Sequence, residues 1–214
     1  MFQPPTKLDD LDDLLAWAAH YAGYCLRSSG MMPPTLFLIG AEGPVMFMPA
    51  SLADGREKDN FATTARLLCI AHGATVVVMA LEAWMKTAKP NKQLDLTEPP
   101  SEAFDREEAV VLMGESQTGQ QQKFLPIIHS GNGRFFGFGE YPGPAAHTMA
   151  GRFAQLLPPK APTDEHRAIA RAILQTNGVP RGACWAIAPP GGGRLLENPG
   201  FAGFFHCHII GFPD

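Results

Sequence analysis

Leu8, Leu11, Leu15, Ala18, Ala22 and Cys25 recur at helical spacing, so the pattern predicts an amphipathic helix over residues 7–27. Thr6 can cap it, Asp9 suits its first turn, and Ser28-Ser29-Gly30 ends it. Residues 35–40 and 45–48 read as two short strands around the turn Ala41-Glu42-Gly43-Pro44. A second helix is expected over 57–72, with Phe61, Ala65, Leu68 and His72 inward and Gly73 as its stop. Residues 75–81, rich in valine, read as a buried strand.

Residues 85–106 break this regularity with Pro90, Pro99, Pro100 and several charges, and a loop of that length commonly carries function. Three more strands are expected at 108–114, 121–129 and 134–139, separated by Gln117-Thr118-Gly119 and Gly131-Asn132-Gly133. With the valine strand they form an antiparallel meander. Tyr141-Pro142-Gly143-Pro144 marks an internal boundary between a core domain, 1–141, and a smaller part, 142–214, docked on the same core. That second part is expected to hold helices at 146–157 and 163–176 and strands near 183–188 and 203–210. The fold expected is α+β. Its sheet is mainly antiparallel, a meander of four strands plus a hairpin, with helices packed on one face.

Composition narrows the class. Apolar residues are 45% and charged residues 18%, the balance of a globular chain. The formal charge of −4 argues against a general nucleic-acid footprint. Charge is uneven: residues 90–115 carry seven acids and two bases, and residues 116–214 carry five acids and eight bases. The second half therefore keeps a nucleic-acid accessory role as a third, weaker expectation. The apolar run 74–81 is far short of the roughly 20 residues that span a bilayer. The N-terminus has neither the positive start nor the apolar stretch of a secretory signal, so a cytoplasmic protein is expected. Cys25, Cys69, Cys184 and Cys207 are scattered, which suits buried thiols better than a disulfide frame or a four-cysteine zinc site.

Two places carry candidate chemistry. In His206-Cys207-His208 on the last expected strand, alternation points both histidines to one face. Two imidazoles there can hold a metal if Glu82, Asp105 or His129 joins them. The stretch Phe204-Phe205-His206-Cys207-His208-Ile209-Ile210 is also faintly similar to the signature of the histidine-triad nucleotide hydrolases and transferases, with Phe204 where that signature has its first histidine. The resemblance implies His206 as the nucleophile toward phosphorus and His208 as a phosphate-side partner.

The second place is the rim of the long loop: Glu82-Ala83-Trp84 before it and Asp105-Arg106-Glu107-Glu108 after it. If the flanking strands are antiparallel neighbours, the two rims meet, and Glu82 or Asp105 can pair with Arg106 beneath Trp84. This spacing resembles a group of bacterial conserved hypothetical proteins over residues 74–115, a likeness that implies no activity. Arg134-Phe135-Phe136-Gly137-Phe138 mixes a cation with aromatics, but reads as a core strand with Phe136 and Phe138 on one face. The glycine-rich stretches lack a phosphate-loop lysine or a nucleophile-elbow spacing, and no cofactor is expected. The function expected is a non-catalytic interaction or regulatory protein, acting on a protein partner or on a second copy of itself. The alternative is a hydrolase, metal-dependent or histidine-triad-like, working through His206 and His208.

Overall fold

The computed structural model describes residues 8–49, 52–86, 98–141, 149 and 151–179, and the backbone of 185–186 and 205–206. Its elements run α1 (Leu11–Ser29), β1 (Thr35–Gly40), β2 (Gly43–Phe47), α2 (Gly55–His72), β3 (Val76–Met85), β4 (Glu107–Ser116), β5 (Gly119–His129), β6 (Phe135–Phe138), α3 (Asp164–Thr176), β7 (Trp185–Ala186) and β8 (Phe205–His206). The strands join in the order β6-β5-β4-β3-β1-β2-β7, and β8 pairs with β3. Every pairing is antiparallel except β3 with β8. The α+β class and the four-strand meander stand as the residue pattern implies.

Helices cover both faces of the sheet, not one. Val77, Met79, Leu81, Ala109 and Val111 face α2 and α3, while Val76, Val78, Ala80, Val110 and Leu112 face α1. β3 and β4 are apolar on both sides, and a strand buried on both sides needs cover on both. On the α1 side, Phe37 receives the edges of the Trp17 and Tyr21 rings, 4.8 and 5.5 Å between centroids. Gly114 of β4 lets α1 sit close, because a Cβ there would lie 2.7 Å from Leu11 Cδ1.

Some element ends move. Helix α1 begins at Leu11, capped by Asp10, whose carboxylate accepts the Asp13 N–H at 2.9 Å; this aspartate displaces Thr6 as the cap. α2 begins two residues early for the same reason, with Asp54 accepting the Glu57 N–H. Strand β3 runs four residues past its expected end, to Met85, because β4 pairs with it as far as Glu107.

The helix expected over 146–157 does not form over its described part, 149 and 151–157. Gly151 and Gln155 both have positive φ, 107° and 56°, which no α-helix accommodates. Side chains satisfy this segment instead. Buried Glu115 of β4 accepts the N–H groups of Leu156 and Leu157 at 2.9 and 3.3 Å. Arg66 of α2 donates to the carbonyls of Arg152, Ala154 and Gln155. Phe153, Leu156 and Leu157, with Ala170 and Leu174 of α3, complete the α2-side core. Of the expected strands near 183–188 and 203–210, only β7 and β8 are described; the rest lies outside the described residues.

Replacing Glu115 by alanine strands two buried N–H groups, and a stability loss of about 2–4 kcal/mol is expected in urea unfolding. Glu115→Gln keeps one acceptor and is expected to lose about half as much. Equal and negligible losses in both variants would show that the carboxylate does not hold this segment.

Candidate functional site

The polar site lies where the α1-facing stripe of the sheet runs beyond its apolar cover. Val76, Val78 and Ala80 of β3 pack under α1, and the same alternation carries Glu82 and Trp84 onto that face. Pairing sets Glu82 opposite Val110 and Trp84 opposite Glu108. One strand further, the β4–β5 register places Ile127 and His129 in the same row. Trp84, Arg106, Glu107, Glu108, Pro126, Ile127, His129 and Gly133 line an open cleft of about 620 Å³.

Inside the cleft, polar groups answer one another. The Arg106 guanidinium carbon lies 4.2 Å from the centre of the Trp84 ring, a cation–π contact, and Arg106 also donates to the Ser101 carbonyl. His129 Nε2 lies 2.7 Å from a Glu108 carboxylate oxygen, and its Nδ1 lies 3.2 Å from the Gly133 carbonyl oxygen. Both of those oxygens are acceptors, so the two contacts hold together when both ring nitrogens carry hydrogen.

Below the cleft, burial pushes the Glu82 carboxyl from its ordinary 4.5 up to about 7. The backbone N–H of Met32 and the nearby His129 oppose that rise, and Glu108 adds to it. Cys25 of α1 lies close by, its thiol pushed up to about 11 by burial and by the Glu82 charge, against a hydrogen bond from Tyr21. Burial likewise raises Tyr21. Burial thus raises all three groups, and the Cys25 thiol and Tyr21 phenol keep their protons at neutral pH.

Of the residues singled out by sequence, Glu82, Trp84 and Arg106 come together here, and Asp105 adjoins Arg106 in the chain. Arg106 meets the Trp84 ring, while the charges acting on Glu82 are Glu108 and His129. The backbone of His206 pairs beside Trp84 through β8, and His208 lies outside the described residues. No group of three or more histidine, cysteine, aspartate or glutamate residues suited to a metal occurs among the described residues. The Glu108–His129 pair and the fully exposed Phe104, two residues before Arg106, escaped the sequence reading. The signal for the pair was present: the two-residue turn Gln117-Thr118 sets Ser116 opposite Gly119, and counting back along both strands puts Glu108 diagonal to His129.

Elsewhere, a groove of about 400 Å³ between α2 and α3 exposes Ile169 and Ile173 and is lined by apolar side chains apart from Lys160 and His166. No helix among the described residues is long and apolar enough to cross a membrane. Comparison with protein-family models, with curated proteins and with solved structures finds no match to this chain.

A carboxyl held neutral by the fold makes stability depend on pH. Between pH 4.5 and 7 the folded state holds the Glu82 proton and the unfolded chain releases it, so this contribution falls as pH rises and is gone above 7. The difference is on the order of 2–3 kcal/mol. Glu82→Gln is expected to flatten that slope and to exceed the parent in stability above pH 7, read from urea unfolding across the range. Parallel pH profiles for the two proteins would contradict it.

Proposed function

We propose that the protein is a non-catalytic interaction protein, and that the Trp84 cleft with its Phe104 rim is the surface a protein partner touches. One observation carries this reading: Arg106 lies against Trp84 and Glu108 against His129, while Phe104, two residues before Arg106 in the chain, stands fully exposed. A catalytic site keeps an acid, base or nucleophile free to meet its substrate. A recognition surface needs something else, an aromatic anchor beside rigid, satisfied groups. Trp84 and Arg106 supply the rigid part, since each holds the other in place.

A second reading keeps the hydrolase through His206 and His208. It draws on the register of β8, which brings the His206 backbone beside Trp84 at the same end of the sheet.

One selection and one assay separate the two. Peptides displayed at random are selected on the whole chain and counter-selected on Phe104→Ala. The interaction reading expects a recurring set of peptides whose affinity falls at least about tenfold on Phe104→Ala or Trp84→Ala. No discriminated peptide, together with nucleotide or phosphoester hydrolysis lost in His206→Ala and His208→Ala, would replace it with the hydrolase.

A further inference from the structure

Strand β6 ends the sheet, and no other described strand pairs with its outer edge. Its residues are Phe135-Phe136-Gly137-Phe138, with no charge among them. Sheet edges of this kind are ordinarily blunted by lysine, proline or a covering segment. Here the protection is a bulge, where the pairing passes from Ile128↔Gly137 to His129↔Phe135. The bulge overturns the simple alternation. It turns Phe135 and Phe138 together toward α1, their rings 5.0 Å apart, and throws Phe136 outward, where it is 77% exposed. Ile128, on the face turned from α1, is 43% exposed as well. The outermost strand thus carries an apolar patch that the fold does not use.

The backbone of the edge has a definite polarity. Gly139 N–H donates to the Pro126 carbonyl inside the sheet, so by strand alternation the N–H and C=O of Phe138 face the free side. The ends of the strand are marked by charge: exposed Arg134 before it and exposed Glu140 after it. Neither makes an ion pair with another described residue.

We propose that β6 is a self-association edge, and that its occupant is β6 of a second copy, running antiparallel about a two-fold axis at Gly137. A two-fold axis repeats every contact, so the arrangement must complement itself. With the axis at Gly137, the two strands run past each other so that the Arg134 end of each meets the Glu140 end of the other, with the bulge at Phe136 between them. The charge pair therefore forms twice. Gly137 suits the axis, because the space around its missing side chain is open. Shifting the axis by one residue along the strand moves the charged ends about two residues out of step and loses the charge match. The edge meets the Trp84 cleft only at Gly133 and His129, and the proposal goes beyond the partner-binding reading and does not depend on it.

Sedimentation of the full chain over about a hundredfold range of concentration tests the proposal. The parent is expected to pass from one to two chain masses and no further. Arg134→Glu sets glutamate against Glu140, and Glu140→Arg sets arginine against Arg134. Each single variant is expected to weaken association at least about tenfold, and the double variant, which restores opposite charges, to recover it to within about threefold. Phe104→Ala is expected to associate like the parent. Since Arg134, Glu140 and Phe104 are all exposed, unchanged thermal unfolding certifies each variant as folded. A parent that stays monomeric overturns the proposal, as does a double variant no better than the singles. Growth beyond two masses, or loss of association in Phe104→Ala alone, overturns it too.

Discussion

Strand β3 is hydrogen-bonded to β4 along its whole length, and on its other side first to β1 and then to β8. A strand held on both sides has one register, and one register decides every side chain's face. For β3 that decision sends Val77, Met79 and Leu81 to the α2 side and Val76, Val78 and Ala80 to the α1 side. It also sends Glu82 and Trp84 to the α1 side. A slip of one residue would bury Glu82 among the aliphatic residues of the α2 core, at a cost that no partner there offsets. The other elements depend on this strand: α1 and α2 press on its two faces, and β4 and β5 extend its rows.

The site follows from where the helix cover ends. Under α1 the row is apolar and dry. Past Ala80 the same row turns polar, and a carboxyl sits partly enclosed between α1, the Met32 backbone and the neighbouring strands. Above it, Trp84, Glu108 and His129 occupy adjoining positions because three antiparallel strands bring them there, not because they are close in sequence. There Arg106 lies against the Trp84 ring and Glu108 against His129.

Much of this was legible in the residues. The stripes of the first two helices, the valine strand, the positions of the turns and the rims of the long loop are all set by local signals, and local signals survive folding. What escaped depends on distant partners. The segment 151–157 has helix-forming residues, yet Glu115 and Arg66 bind its backbone groups from two other elements, and no local rule registers them. The bulge at Phe136 inverts an alternation that reads cleanly in sequence. The Glu108–His129 pair needed register carried across a turn. The histidines that stood out, His206 and His208, drew attention through spacing alone. Trp84, Glu108 and His129 meet only in three dimensions.

The central claim is that the register of β3 places Glu82 at the half-buried end of the α1 row. Carbon-13 observation of the Glu82 carboxyl through a pH titration tests it most directly, with Glu82→Gln assigning the signal. The account predicts a midpoint near 7, well above its ordinary 4.5. A midpoint at the ordinary value would place Glu82 in solvent, and with it would fall the register and the site built on it.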